Sequence, residues 1–448
     1  METSSKHTST TPRRGAFYAD KKNESRSQSR PSGAHYAPKH SWAESIFAGD
    51  KALWVVFVIL LIYSLFVVYS TTAYDPALNA NQELTKQLLF IGLGMIGFFT
   101  MQAIHPQTYR PFIKIIYWAS IILTVLMIVM HKGSNAARSI NIAGFDFQPF
   151  ELLKISVILL LADRLARRQK NIDNIDLLPS FKPKDWRENP EKQKLTLLNH
   201  TLPVLGPIAL ACCITIIISN STTFIIAISC LLMLFLGRVK GADMKKIILT
   251  GTVVGAAALF AFGGRVDTLG GRIGGYSPNV LKKSTKVESD GKEYYVRPEN
   301  ELDQTMYAKM SIASGELNGK GPGQSTNRYL QEADKDMAYA FLIEEHGLLF
   351  GGVVVLLAFL IMFYRGIEIF KKCDTAFPGL SVLGVITAIV LQAFLHMMVS
   401  VSLLPVTGQQ LPIVSKGGSS LVFTLASLGL VMGISARANN GTLNKKGN

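Results

Sequence analysis

Charge is scarce in this chain: Asp, Glu, Lys and Arg make up 17% of its 448 residues, against about 25% in soluble domains. That shortage argues against a water-soluble globule of this size. Cysteine is scarcer still. Cys212, Cys213 and Cys230 lie inside apolar runs and Cys373 in a short basic loop, so neither a disulfide framework nor a zinc site is offered. Residues 1–50 have no apolar stretch and are rich in Ser, Lys and Arg. They read as a disordered basic cytoplasmic tail rather than a cleaved signal peptide.

Long apolar runs are what the chain has instead, near residues 53–73, 88–104, 115–130, 150–166, 202–219, 222–237, 247–262, 336–364, 380–404 and 418–436. Runs of this length read as membrane spans, and they are too long and uninterrupted for barrel strands. The expected fold is all-α, a polytopic integral membrane protein of about ten transmembrane helices. Helices 1–7 are predicted within 51–262, with a cytoplasmic insert at 167–200. A large extracytoplasmic loop at 263–335, helices 8–10 within 336–436 and a short cytoplasmic tail at 437–448 complete the organisation. The boundary between the fifth and sixth spans is the least marked, since only Asn220 and its Ser/Thr neighbours separate them.

The formal charge of +15 is spread over tails and loops. Its expected counter-charge is an anionic lipid leaflet and not nucleic acid. Basic residues recur after every second span: Arg110 and Lys114, then Arg164, Arg167 and Arg168, then Arg238 and Lys240, then Arg365 and Lys371. The positive-inside rule, which discounts loops longer than about 60 residues, makes both termini cytoplasmic and 263–335 external. In that loop Leu302, Met306, Met310, Ile312 and Ala313 recur at helical spacing, which predicts an interfacial helix. Residues 264–300 show no clear period.

Three polar clusters interrupt this apolar plan. Gln148, Pro149, Glu151 and Lys154 open the fourth span, with the carboxylate and ammonium on one helix face. An intrahelical ion pair near the surface and a polar wall facing a cavity both fit. Glu332, Asp334, Asp336, Glu344 and Glu345 crowd the entry to the eighth span. An acidic first turn complements the helix dipole, which accounts for Glu332 and Asp334 better than for Asp336, where apolar residues follow at once. Asp334 and Asp336 stand about 200° apart on a helical wheel and face different ways. The third cluster, residues 405–420, is an irregular polar segment between two spans. Such backbone either forms an ordinary turn or lines a water-filled cavity, where Gly417 and Gly418 allow close approach and the next helix offers N–H groups to an anion.

In this order the segments resemble the SEDS family, the membrane proteins of shape, elongation, division and sporulation. The family run Gln-Pro-Ser-Glu followed by Lys is matched by Gln148, Pro149, Glu151 and Lys154, and the run upstream of it in part by Ala137 and Arg138. Tyr-Leu-Pro-Glu-Ala-His-Thr-Asp aligns with Tyr329–Asp336, and Glu-Glu-x-Gly with Glu344, Glu345 and Gly347. Pro-Val-Thr-Gly through Ser-x-Gly-Gly-Ser-Ser is residues 405–420, and Ala313, Ser314, Gly315, Gly319, Gly321 and Gly323 resemble the glycine-rich approach to the catalytic loop. The likeness spans about residues 50–437. Ser139, Phe150, Gln331, Asp334, Lys335 and Lys416 depart from the pattern, and residues 219–223 lack its Pro-Asp-Leu-Gly-Thr. They mark a divergent member.

The resemblance implies polymerisation of peptidoglycan glycan strands from lipid II at the outer face of the bacterial cytoplasmic membrane. Asp336 would serve as general base for the acceptor hydroxyl. Arg138, Lys154 and Lys320 would meet charge developing on the lipid pyrophosphate, with Glu332, Gln148, Glu151, Ser415, Gly417, Gly418 and Ser419 supporting or binding substrate. No cofactor is required with certainty; a divalent cation, Mg or Mn, is the one candidate. Implied partners are a class B penicillin-binding protein, the transpeptidase, and other division proteins. A lipid II flippase and a scaffold without chemistry are the alternatives, and the outer position of the densest cluster favours the enzyme. The long tail, the insert and the wording of residues 405–412 resemble the division branch, and hence the septum, more than the elongation branch.

Overall fold

The structure is a computed structural model and describes residues 47–73, 80–130, 139–142, 145–170, 172, 176–180, 183–261, 285–289, 292–296, 304–325, 335–441 and 443. In chain order α1 is Lys51–Ala73, α2 Ala80–Ala103, α3 Ile113–Met130, α4 Pro149–Arg168, α5 Leu202–Ile218, α6 Asn220–Leu236 and α7 Gly241–Ala261. Then come α8, Gln304–Gly315, in the long loop, α9, Ala338–Lys372, α10, Ala376–Ser400, and α11, Ser419–Asn439. All but α8 coincide with the predicted apolar runs. Seven are long and apolar enough to cross a membrane. The other three are α4, with charges from Glu151 to Arg168, the shorter α6, and α7, which opens on Asp243, Lys245 and Lys246.

Local chemistry sets the ends of these helices. Asp50 caps α1, its Oδ1 accepting the N–H groups of Ala52 and Leu53 at 3.0 and 3.1 Å, and its carboxylate also receives the Arg365 guanidinium from α9. Pro149 stands at the first position of α4, where its missing N–H costs nothing. Ser219 alone separates α5 from α6. It is extended, donates its N–H to Thr215 O at 2.7 Å and accepts the Thr222 N–H on its hydroxyl at 3.3 Å.

Alternating helix directions bring the starts of α2, α4, α6, α9 and α11 to one end of the bundle. The opposite end carries the arginine pairs: Arg110 and Arg167 both reach Asp163, at 2.5 and 2.9 Å. There the 167–200 segment holds two short helices, Pro183–Glu188 and Pro190–Thr196. Leu177 donates its N–H to Asp243 at 2.7 Å, and Lys240, 2.7 Å from Asp176, holds that carboxyl below its usual range.

Helix α10 is central, packed by α4, α6, α9 and α11; 83% of its most apolar stretch is buried in protein, against 17% for α2 at the periphery. Along the α2–α11 seam the backbones touch, because a Cβ at Gly429 would overlap Phe98 and one at Gly433 the backbone of Gln102. Small residues allow such approach where lipid offers no hydrophobic drive between helices.

Helix α9 is broken. Gly347 has φ +78°, and a π-helical stretch, Leu348–Val353, follows it. The freed backbone groups find partners in the glycine-rich segment after α8: Leu348 N–H donates to Glu316 O at 2.8 Å, while Lys320 and Gly321 N–H donate to Glu344 O and Glu345 O at 3.0 and 2.8 Å. A break at membrane depth is tolerated where protein supplies those partners.

The helix expected in the long loop is α8, and it rests on the bundle through Tyr307, Ala308, Ser311 and Gly315, with Met310 and Ala313 exposed. Tyr307 and Ala308 join Met337, Phe341 and Val399 in one buried cluster. Within residues 264–300, Thr285–Ser289 pairs antiparallel with Lys292–Val296, and a second small ladder pairs Ile140–Ile142 with Phe145–Phe147. The fold stays helical, with these ladders confined to connections.

Candidate functional site

A cavity of about 670 Å³ opens at the end where α2, α4, α6, α9 and α11 begin. Glu83, Lys86, Gln87 and Phe90 reach it from the first turns of α2. Gln148, Phe150 and Glu151 come from the start of α4, with Ser139 and Asp146 just before it. Lys335 and Asp336 lie in the turn that leads into α9. Gln392 comes from α10, and Gly408, Gln409, Gln410, Lys416, Gly417 and Gly418 from the segment between α10 and α11. The three polar clusters thus meet on one chamber.

The walls are fixed by hydrogen bonds between motifs far apart in sequence. The Gln148 N–H donates to the Ser419 hydroxyl at 2.8 Å, and that hydroxyl donates to Asp146 O at 3.2 Å. Ser415 accepts the Leu411 N–H and donates to Lys335 O, both at 2.8 Å. The irregular 405–418 segment is thereby tied to the turn that carries Asp336. Gln409 donates its amide to Ser219 and Thr222 hydroxyls at 3.3 and 3.2 Å.

Charge on the lining is mixed. Glu83 pairs with Lys86 at 2.7 Å and with Lys416 at 3.1 Å, so two lysines stand together beside the start of α11. A helix start adds partial positive charge from its unpaired N–H groups. Lys335, next to Asp336, is the third cation on the lining. An anion and the Asp336 carboxylate can therefore share this chamber.

The sequence-predicted residues fall into three groups. Asp336, Gln148, Glu151, Gly417 and Gly418 line the cavity. Lys154, Ser415, Ser419 and Lys320 do not, but the first three stand directly behind its wall. Lys154 is 4% exposed, with Nζ 2.6 Å from Glu151 Oε2 and 2.5 Å from Gln392 Oε1. Lys320 belongs to a separate cluster beside α9, where its Nζ donates to the fully buried Glu344 at 2.8 Å and Ser325 donates to the same carboxylate at 2.7 Å. Arg138 and Glu332 lie outside the described residues. Among the described residues no group of three His, Cys, Asp or Glu side chains is placed to hold a metal ion.

Sequence reasoning missed Glu83, Lys86, Asp146 and Gln392. A usable signal existed for two of them: Glu83 and Lys86 form an i,i+3 pair at the head of an apolar run.

The cell cycle protein model of the FtsW, RodA and SpoVE family matches residues 50–440. Stage V sporulation protein E of Bacillus subtilis is 28% identical over 395 residues, covering 86% of this chain and 96% of that protein. The peptidoglycan glycosyltransferase MrdB of Escherichia coli K12 is 28% identical over 399 residues, covering 86% of this chain and 93% of that one. The probable peptidoglycan glycosyltransferase FtsW of Bacillus subtilis is 27% identical over 408 residues, covering 86% and 90%. Among solved structures, one chain of a peptidoglycan synthase complex that coordinates polymerization and crosslinking has a TM-score of 0.60 at 19% identity, covering 89% of this chain and all of that one. The rod shape determining protein RodA of Thermus thermophilus has a TM-score of 0.53 at 21% identity, covering 87% and 98%. With the helical bundle and the chamber at its end, these matches place the chain in the FtsW, RodA and SpoVE family of multi-pass membrane proteins.

Proposed function

We propose that this chain is a peptidoglycan glycosyltransferase that extends glycan strands from lipid II at the outer face of the bacterial cytoplasmic membrane, with Asp336 as general base. The observation that carries this reading is the meeting of Asp336, Lys335, Lys416 and the start of α11 on one chamber. Relatives named as peptidoglycan glycosyltransferases support the reaction class.

In this reading the acceptor hydroxyl attacks the anomeric carbon of the donor sugar. A new C–O bond forms, the bond to the lipid pyrophosphate breaks, and the hydroxyl proton passes to Asp336. General-base assistance of this kind contributes about 100- to 10,000-fold. The departing pyrophosphate gains charge against Lys86, Lys335, Lys416 and the N–H groups at the start of α11. Lys154 neutralises Glu151 from behind.

The chamber lies at the end opposite the arginine pairs, which supports an external site and cytoplasmic termini. Beyond Glu151, Lys154 and Gln392, α4 continues through Val157, Leu160 and Leu161, none more than 3% exposed. That dry packing favours polymerisation over lipid transfer. A class B penicillin-binding protein is the proposed transpeptidase partner, a pairing in keeping with the similarity to a chain of a peptidoglycan synthase complex. The tail 1–50 and the insert 167–200 support a place at the division septum. The test is incubation of the purified protein, with its transpeptidase partner, with lipid II. Glycan strands are expected; no strands, together with scrambling of labelled lipid II in vesicles, would overturn the reading in favour of a flippase.

A further inference from the structure

Two buried polar side chains near the chamber end of α10 are given no part in the chemistry above. Gln392 and His396 stand one turn apart on α10, on one face, and are 4% and 1% exposed. Burying polar groups in such surroundings is costly unless each finds partners. Both are fully engaged, and in the same way.

Each has one end on the irregular segment between α10 and α11. Gln392 Nε2 donates to Gln410 O at 3.1 Å, and His396 Nδ1 lies 2.7 Å from Gln409 O. Two consecutive carbonyls of a non-helical backbone are thus read by two side chains at helical spacing. The other ends point to the groups of the proposed reaction. Gln392 Oε1 accepts from Lys154 Nζ at 2.5 Å, and His396 Nε2 accepts the Tyr339 N–H at 3.3 Å. Tyr339 N–H is one of the otherwise unpaired donors in the first turn of α9, three residues after Asp336. A backbone N–H only donates and a carbonyl only accepts, so this bridge needs the neutral imidazole with its proton on Nδ1.

We propose that Gln392 and His396 are positioning residues, a clamp on α10 that sets the 408–410 backbone against the first turn of α9 and so fixes where Asp336 and the Glu151–Lys154 pair face the chamber. Gln392 borders the chamber and His396 stands behind it; in this scheme both act through the groups they hold. The geometric part stands on the hydrogen bonds alone; the consequence for rate rests on the proposed function. Ser415, which ties the same segment to Lys335 O, is the third fixed point of that wall.

The test uses the full-length protein in lipid nanodiscs and four forms: wild type, Gln392→Met, His396→Leu and His396→Asn. The first two substitutions remove the hydrogen bonds at similar volume, and the amide of the third keeps a donor and an acceptor. Hydrogen exchange is read over residues 335–345 and 405–415. Gln392→Met should speed exchange of 405–415 and His396→Leu that of both segments, by about tenfold or more, with α2 and α11 unchanged. Lipid II polymerisation with the partner should lose about 100-fold in kcat with KM within about threefold, since a misplacement near 1 Å costs that much. His396→Asn should recover most of both losses. Unchanged exchange in Gln392→Met and His396→Asn-like exchange in His396→Leu overturn the clamp, as does a loss confined to KM. If His396→Leu fails to fold, the Gln392→Met exchange and kcat decide. If the wild type makes no glycan, the proposed function falls, and the exchange measurements still decide the clamp.

Discussion

Gln148 and Ser419, 271 positions apart, are joined by a 2.8 Å hydrogen bond from the Gln148 backbone N–H to the Ser419 hydroxyl. The bond closes the chamber wall between the start of α4 and the start of α11. Ser419→Ala should leave that N–H without its partner. Because the site is only partly buried, the stability cost should be about 1 kcal/mol, while polymerisation falls further, by about tenfold, as the wall shifts. Ser419→Thr keeps the hydroxyl and should stay active. Thermal unfolding in detergent and glycan synthesis at equal protein check the two effects.

Gly347 makes the second prediction. Its φ of +78° and its contact with the backbone of Leu317, Asn318 and Gly319 leave no room for a Cβ. Gly347→Ala should cost about 3 kcal/mol or more, from a strained conformation and an overlap together. Gly255→Ala in α7 has open space around it and should be neutral or gain about 0.5 kcal/mol. Folded yield and midpoint of unfolding are the measurements. Equal behaviour of the two variants would show that the break in α9 is not held by this interlock.

Lys320 offers a choice between roles. The family resemblance implies a contact with pyrophosphate, whereas in the structure the ammonium stands against Glu344. Lys320→Met should strand a buried carboxylate at a cost of about 3 kcal/mol. Adding Glu344→Gln removes that charge, so the double variant should regain both stability and polymerisation. A stable but inactive double variant returns Lys320 to the substrate.

The orientation is checked with single cysteines at Ser284 and Ser180 in a background lacking Cys212, Cys213, Cys230 and Cys373. An impermeant thiol reagent on intact cells should label the first and not the second. The reverse pattern inverts the bundle and moves the chamber to the cytoplasm.

Hydropathy made the helices of the bundle legible because lipid selects long apolar runs, although α4, α6 and α7 fall short in length or polarity. The same measure hid much of the chamber. The second apolar run was read from residue 88, yet α2 begins at Ala80, and its polar first turns supply Glu83 and Lys86. Gln392 and His396 are uncharged and do not interrupt a run, so only their i,i+4 spacing could have drawn notice. The glycines before α9 were legible as a motif but not as partners for the interrupted backbone near Gly347, since that pairing joins segments with no local pattern in common. Gln148, Glu151 and Asp336 were legible because each interrupts or borders an apolar run with a polar group that lipid disfavours, and Gly417 and Gly418 because they stand in an irregular polar segment between two such runs.

Asp336 carries the last prediction. It sits in the turn just before α9, on the chamber, with Met337 between it and the first helical residue, Ala338. A carboxylate near a helix start has a second explanation, because negative charge there complements the dipole and is worth about 0.3–1 kcal/mol. Asp334 shares that explanation, being two residues away with the same chemistry, and it serves as the control. If dipole complementarity were the whole role, Asp336→Asn and Asp334→Asn would each lose a little stability and both would polymerise lipid II. If Asp336 takes the acceptor proton, Asp336→Asn should fold, insert and bind its partner as the wild type does, while polymerisation drops by about 100-fold or more, since an amide cannot accept that proton. Asp334→Asn should keep most of its rate. The comparison is made with equal amounts of each folded variant together with the transpeptidase partner. An active Asp336→Asn protein, or an inactive Asp334→Asn protein beside it, removes Asp336 from the reaction and leaves Glu332 as the next carboxylate to test.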